Sequence, residues 1–183
     1  MIEKTMGQVE AILVKPKGKG AKSAIIENVE VEWGGFQGDK HFGDTMPAGS
    51  SQKAYPKGTA VRNTRQISIV SVEELKQIAK ALGVSMIKPE WVGANMLVSG
   101  IDKFTDLAAG TRLHFENGVG LVVQGVNTPC TDAGSEIQEN FPEVAGVTSG
   151  FPKKAIGRRG LVAWVERTGQ IAAGETLSIS IVK

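Results

Sequence analysis

Residues that support several common chemistries are scarce in this sequence. Its 183 residues include one cysteine, Cys130, and two histidines, His41 and His114, and aromatic residues make up only 5%. One thiol cannot close an internal disulfide, which fits a reducing compartment, so we predict a cytoplasmic location. Two histidines far apart in the chain make a zinc site of protein ligands alone unexpected.

Long apolar runs, a strong charge bias and nucleotide-binding motifs are also missing. No run approaches the ~20 apolar residues of a membrane span, and residues 1–14 lack the pattern of a signal peptide. The 21 basic and 19 acidic residues give a net charge of +2, too small to indicate nucleic acid as a main partner. Neither the P-loop motif nor Gly-x-Gly-x-x-Gly occurs. We therefore expect no membrane, nucleic-acid or nucleotide-fold function.

Glycine, by contrast, is abundant, with 23 residues, which favours short strands joined by tight turns. The length suits a single domain over 1–183, with a core over about 9–182 and a polar, flexible loop over about 44–64. Alternating or continuous apolar residues predict the strands. These strands cover 8–14, 24–33 (one or two strands), 66–70, part of 91–98, 109–116, 119–126, 161–165 and 177–182.

Two helices are predicted between these strands. Ser71 and Glu74 have the spacing of a capping box, apolar residues follow at helical intervals, and Gly83 supplies a left-handed stop. A second helix is predicted over 132–141, with Ser135 and Gln138 as its cap. Residues 169–174 are interpreted as a turn.

Cys130 is predicted to lie at the junction of a strand and a helix. An apolar strand leads to Asn127-Thr128-Pro129, which ends it, and polar residues compatible with a helix start follow Cys130. A thiol there can be partly exposed, and a nearby helix N-terminus favours its thiolate. The alternative is a small buried residue without chemistry. A catalytic triad of Cys130 with His41 or His114 is possible, but no spacing rule supports it.

Three further segments concentrate polar side chains beside glycines. Asp39, Lys40 and His41 follow Gly38, and Asn95 follows Gly93-Ala94. Arg158 and Arg159 stand between Gly157 and Gly160, a pattern that suits an anion such as a phosphate or carboxylate, or simply a charged turn. Arg65 lies at the exit of the polar loop.

Taken together, these segments resemble a MOSC domain, the module named after the C-terminal part of molybdenum cofactor sulfurase. The resemblance spans about Val9 to Val182. The segments that carry it are Gly38–His41, Arg65–Gln66 leading into strand and helix, Gly93–Leu97, Gly157–Gly160, and Cys130 after Thr-Pro. The family often has Gly-Glu-Asn-Leu where this chain has Gly93-Ala94-Asn95-Met96, so Ala94 receives no role.

The resemblance implies a mainly β fold, a β-barrel of mixed strands similar to the pyruvate-kinase barrel, with a few peripheral helices. It also implies sulfur or molybdenum chemistry at Cys130. In the favoured hypothesis, Cys130 accepts sulfane sulfur as a persulfide from a cysteine desulfurase, a pyridoxal phosphate enzyme. The sulfur then passes to a molybdoenzyme, a cofactor or another metal–sulfur acceptor. Arg158 and Arg159 bind the anionic ligand, with Lys40 or His41 in support, while Asp39, His41 and Asn95 shape the pocket. Arg65 is a further candidate for cofactor binding.

Two other classes of function stay open. Cys130 could instead ligate molybdenum directly in a reductase-like, molybdenum-cofactor-binding module. Alternatively, the chain could be a non-catalytic interaction module whose basic loop, residues 15–22, docks an acidic partner. The sequence leaves open the substrate, the oligomeric state and whether the protein turns over. No covalently bound cofactor is expected.

Overall fold

A computed structural model describes residues 2–18, 23–50 and 52–182. In chain order, the strands in these ranges are β1 Ile2–Val14, β2 Ala24–Ile26, β3 Asn28–Glu32, β4 Gly35–Phe36, β5 Thr45–Pro47, β6 Ala60–Arg62, β7 Ile67–Ser71, β8 Met96–Ser99, β9 Arg112–Phe115, β10 Gly120–Val126, β11 Leu161–Arg167, β12 Gly169–Ala172 and β13 Thr176–Val182. The helices are α1 Val72–Leu82, α2 Thr131–Asn140 and α3 Val147–Lys154, and short 3₁₀ turns cover Pro89–Val92 and Phe104–Asp106.

Seven strands close into a mixed β-barrel. The order around it is β13-β9-β10-β11-β7-β8-β1, and pairing of β1 with β13 completes the circle. The β7–β8 pair is parallel and the other pairs are antiparallel, which confirms the predicted barrel of mixed strands. Closure leaves no free edges among these seven strands, since each has two hydrogen-bonded neighbours.

Strand alternation explains what fills the barrel. On β9, Leu113 and Phe115 are buried while Arg112 and His114 are exposed, as the period of two predicts. The interior is aliphatic, with Ile12, Ile69 and Leu121 among its fully buried side chains. A three-stranded sheet, β12-β3-β4, adds to this core. Residues 169–172 are therefore a strand and not the predicted turn, because they pair with β3 from Val31 to Asn28.

The three helices form a second apolar cluster outside the barrel, which includes Ile78, Ile137 and Phe151. The predicted start of α1 is confirmed, since Ser71 Oγ accepts a hydrogen bond from the Glu74 amide and Gly83 is left-handed. The predicted cap of α2 is wrong: Cys130 is its N-cap residue and Ser135 lies within the helix. Helix α3 was not predicted, because it contains Gly150 and Pro152, two residue types with low helix propensity.

The polar loop over 44–64 contains an unpredicted hairpin in which β5 pairs with β6. Its flexibility stays a prediction. In the basic loop, residues 19–22 lie outside the described residues. No helix in the described part of the chain is long and apolar enough to cross a membrane.

Candidate functional site

An open cleft of about 1430 Å³ brings together segments from distant parts of the sequence. Its wall includes the loop after β1, the segment before β5, the approach to β7, the turn Pro89–Val92, the start of α2 and the loop before β11. Among the predicted site residues, six line it. They are Lys40, His41, Arg65, Asn95, Cys130 and Arg159.

The Cys130 side chain lies at the N-terminus of α2 and on the cleft wall. Cys130 is exposed, so the alternative of a small buried residue is wrong. Hydrogen bonds fix the loop that carries it. The Asn127 amide donates to the Gly160 carbonyl at 2.9 Å, and Asn127 Nδ2 donates to Ser68 Oγ at 3.0 Å. The reactive position is therefore anchored to the barrel on two sides.

Arg159 is a buried cation in the same wall, with 5% of its surface exposed. Its Nη2 donates to the Val92 carbonyl, while Nε and Nη1 have no hydrogen-bond partner among the described residues. Burial lowers the pKa of Arg159 to about 10, and attraction to Cys130 opposes that effect. The guanidinium stays charged at neutral pH, so it presents unused donors to an anion.

The backbone beside Arg159 is held by close packing. Gly160 has φ +83°, and a Cβ there would stand 2.0 Å from the Ile69 carbonyl oxygen, so only glycine fits. The Gly160 amide donates to Thr105 Oγ1 at 2.9 Å, and that hydroxyl donates to Glu74 Oε2 at 2.6 Å. Glu74 of α1 thus supports the site indirectly, a role that the sequence pattern did not indicate.

Arg158 does not join the site, which corrects the prediction that both arginines bind the ligand. Its side chain is exposed, and its Nε donates to Gln77 Oε1 on α1 at 2.9 Å. Adjacent residues in an extended or turning backbone point in different directions, so the Gly-Arg-Arg-Gly pattern could not assign one arginine over the other.

Asp39 does not line the cleft but organises the residues that do. Its buried carboxylate accepts hydrogen bonds from the Lys15 and His41 amides, from His41 Nδ1 and from Asn95 Nδ2, at 2.8–2.9 Å. Burial alone would raise the pKa of Asp39, but these bonds outweigh it and the pKa is lowered. An ionised carboxylate only accepts, so His41 Nδ1 is the donor in this contact, and in the neutral ring Nε2 is then the acceptor. The two histidine nitrogens are thereby distinguished.

Hydrogen bonds link the basic segments of the cleft, from Lys15 to the loop that carries Cys130. The Lys40 amide donates to the Lys15 carbonyl at 2.7 Å. Asn63 bonds the His41 carbonyl and the Arg65 amide, and Arg65 Nη2 reaches Asn127 Oδ1 at 3.4 Å. These contacts link the segments that carry the predicted cations Lys40 and Arg65, and both residues line the cleft.

Four acidic residues also line the cleft, and sequence reasoning missed them. Glu90 on the 3₁₀ turn, with Asp132, Glu136 and Glu139 on α2, lines the cleft. The turn and the helix pack against each other. The four-residue spacing of Asp132 and Glu136 was a signal that places both on one helix face.

The positions of the histidines and carboxylates bear on two alternatives for the site, a catalytic triad with His114 and a metal site built from protein ligands. His114 is exposed on β9 and does not line the cleft, so a triad of Cys130 with His114 is wrong. Within the described ranges, no group of three or more His, Cys, Asp or Glu side chains could hold a metal ion.

The fold is a closed mixed β-barrel, and its cleft is lined by an exposed cysteine and a buried arginine. Comparison with known proteins shows the family to which such a barrel belongs. The sequence matches the MOSC domain profile over residues 37–178, and the chain belongs to the MOSC family. The predicted resemblance is confirmed.

Individual relatives agree with this membership. The chain is 41% identical over 154 residues, 84% of its length and 80% of the relative's, to the Bacillus subtilis protein named "Putative metal-sulfur cluster biosynthesis proteins YuaD". The crystal structure of YuaD from Bacillus subtilis superimposes with a TM-score of 0.94 at 36% identity, covering 100% of both chains. YiiM from Geobacillus stearothermophilus shares the fold, with a TM-score of 0.65 at 16% identity over 97% of this chain and 75% of YiiM.

Proposed function

We propose that the protein is a sulfur carrier, in which Cys130 accepts sulfane sulfur as a persulfide and delivers it to a metal–sulfur acceptor. The observation that carries the proposal is the exposed Cys130 thiol in one cleft with Arg159, a buried cation that has two unpaired donors. The printed name of the Bacillus subtilis relative, which refers to metal-sulfur cluster biosynthesis, supports the same class of acceptor.

Sulfur transfer at this site is a balanced exchange. The Cys130 thiolate attacks the outer sulfur of a persulfide on the donor, a cysteine desulfurase. A new Sγ–S bond forms, the donor's S–S bond breaks, and the donor cysteine leaves as a thiolate. No oxidant is consumed, because the sulfur keeps its oxidation state. Release as sulfide to the acceptor takes two electrons, which a thiol reductant supplies.

The cleft residues suit the charge of the product. A persulfide at neutral pH is an anion, and Arg159 offers Nε and Nη1 as donors in a setting of low dielectric. The chain has no second cysteine that could displace the sulfur by forming an internal disulfide. His41, oriented by Asp39, presents Nε2 as an acceptor for the thiol proton.

Mass spectrometry of the intact protein tests this proposal. After incubation with an active cysteine desulfurase and cysteine, we expect one added sulfur atom on the wild-type protein, located on Cys130 by peptide mapping and removed by a thiol reductant. Cys130→Ser should show none. A wild-type protein without the adduct, beside a desulfurase shown to be active, contradicts the carrier role.

A second function is favoured by the size of the cleft, which far exceeds what one sulfur atom needs. A molybdenum cofactor fits the donor set: Cys130 would ligate the metal and Arg159, with Lys40 and Arg65, would hold the phosphate of its pterin. When bound, the cofactor supplies two-electron redox chemistry at the metal. The protein's part is then to hold the anionic group and to orient the ligand sulfur.

Metal analysis separates the two functions. Protein purified from a host that makes the cofactor should contain stoichiometric molybdenum under the second function, and Cys130→Ala should lose it. Under the carrier function, molybdenum stays far below one equivalent while sulfur loading on Cys130 persists.

A further inference from the structure

Helix α1 carries a buried carboxylate that the proposed function does not use. Glu74 is 4% exposed, and neither ion pair within the described residues involves it. It stands at the capping-box position after Ser71, where its side chain would accept from the Ser71 amide. Both of its oxygens instead accept from Thr105, from the amide at 2.9 Å and from the hydroxyl at 2.6 Å. Burying a carboxylate is costly, so this departure from local capping indicates a role at Thr105.

The hydrogen bonds around Thr105 have a fixed direction. Both Glu74 oxygens act as acceptors, so the Thr105 hydroxyl donates its hydrogen to Glu74 and keeps its lone pairs for a donor. The Gly160 amide is that donor, at 2.9 Å from Thr105 Oγ1. Thr105 is 1% exposed, so solvent does not compete for either bond. Glu74 therefore orients the hydroxyl that receives the Gly160 amide.

Gly160 joins the two halves of the sulfur site. Its amide directly follows Arg159, and its carbonyl accepts from the Asn127 amide at 2.9 Å, in the loop that leads to Cys130. Its backbone lies so close to the Ile69 carbonyl oxygen that no side chain fits. A shift of the Gly160 amide would therefore move Arg159 relative to the cysteine loop.

Helix α1 also holds the arginine that points away from the cleft. Arg158 Nε donates to Gln77 Oε1 on α1 at 2.9 Å. The same helix thus holds the Arg158 side chain outside the cleft and, through Glu74 and Thr105, the amide that follows Arg159. These contacts together determine which of the two guanidinium groups faces Cys130.

We propose that Glu74 and Thr105 are positioning residues of the sulfur site, which fix Arg159 relative to Cys130 through the Gly160 amide. The inference rests on the proposed function, because it names what aligns the cation with the sulfur atom that the function uses. Neither residue lines the cleft, so both act through the backbone of the site and not by touching a substrate.

Alkylation of Cys130 by two reagents of different charge tests the inference. Iodoacetate is an anion and iodoacetamide is neutral, and the thiolate displaces iodide from both. The ratio of their rate constants at one pH reports the cation near the sulfur, because the thiolate fraction affects both rates equally. We expect this ratio in the wild type to be about tenfold that in Arg159→Met, since a nearby guanidinium attracts the anion.

Variants of the relay assign this effect to its residues. Thr105→Val removes the hydroxyl at similar volume and should lower the ratio by about threefold or more, whereas Thr105→Ser keeps the hydroxyl and should restore it. Glu74→Gln leaves the Thr105 hydroxyl hydrogen without its carboxylate and should lower the ratio as well. This variant decides the test if thermal unfolding shows that Thr105→Val does not fold. Thr111→Val, the same change at another buried threonine, is the matched control and should leave the ratio unchanged.

The wild-type ratio in a folded Thr105→Val protein would overturn the inference. An equal fall in Thr105→Ser or in Thr111→Val would also overturn it, because the first keeps the bond to Gly160 and the second does not touch it. Equal ratios in the wild type and Arg159→Met would do the same. Sulfur loading plays no part in this measurement, so failure of the carrier function and failure of the positioning role are distinguishable.

Discussion

Arg159 sits where the described protein gives its charge only one hydrogen-bond partner, the Val92 carbonyl. Desolvating a charge without full pairing is unfavourable, so this side chain does not serve stability. We expect Arg159→Met, which keeps length and removes charge, to have a free energy of unfolding equal to the wild type or higher by about 1 kcal/mol. Urea unfolding measures this. A loss of several kcal/mol would show that Arg159 is structural.

Asp39 is also a buried charge, but unlike Arg159 it has a full set of hydrogen bonds. Asp39→Asn places amide hydrogens against donors from Lys15 and His41, and we expect it to destabilise the fold by about 2 kcal/mol or more at neutral pH. The pKa of Asp39 is lowered on folding. Its stabilising effect is therefore complete above the unfolded pKa of about 3.9 and is lost as pH falls through the lower folded pKa.

The measurement is the stability difference between wild type and Asp39→Asn as a function of pH. The gap should be constant above about pH 4 and should narrow with further acidification. A gap that does not change in acid would mean that Asp39 is not the ionised centre of these hydrogen bonds.

At the scale of elements, α2 begins directly after Cys130 and packs tightly on α3. A Cβ at Gly134 would lie 2.5 Å from the Thr148 carbonyl oxygen, whereas one at Gly150 would meet only the Leu82 side chain, at 3.2 Å. We expect Gly134→Ala to lower the free energy of unfolding by about 2 kcal/mol or more, because backbone must move. Gly150→Ala, the matched control, should lie within about 1 kcal/mol of wild type because helix propensity favours alanine.

Denaturant unfolding of both variants checks the α2–α3 contact. Equal stabilities for the two alanine variants would contradict the close approach at Gly134. The same contact explains why a glycine stands in the middle of α2: the residue is small, so the two helices can touch. A glycine inside a helix weakens a prediction from the sequence pattern.

The elements that sequence reasoning found are those whose pattern is local. The helix from Ser71 to Gly83 and the hairpin at Asn117-Gly118 have caps or turns that their own residues specify. Strand β12 escaped prediction because its partner β3 is distant in sequence. Helix α3 escaped prediction because Gly150 and Pro152 interrupt its pattern, and packing on α2 stabilises it. Tertiary packing there overrides glycine and proline signals.

At the scale of the whole molecule, barrel closure makes the site. It joins β1 to β13, and the closed barrel holds Asn95, Cys130 and Arg159 around one cleft, with Asp39 bonded to Asn95 behind it. The sequence identified these residue types through glycine-bounded motifs. It could not separate Arg159 from Arg158 or find Glu90, because side-chain direction and the lack of a partner are properties of the folded chain.

The most direct test of the account compares sulfur loading in Arg159→Met and Arg158→Met. The two variants remove the same charge one residue apart, and only Arg159 lines the cleft with Cys130. After equal exposure to an active cysteine desulfurase and cysteine, mass spectrometry should find one sulfur atom on Cys130 in the wild type and in Arg158→Met, and about tenfold less in Arg159→Met. Equal loading of the two variants would contradict the account, as would an unloaded wild type.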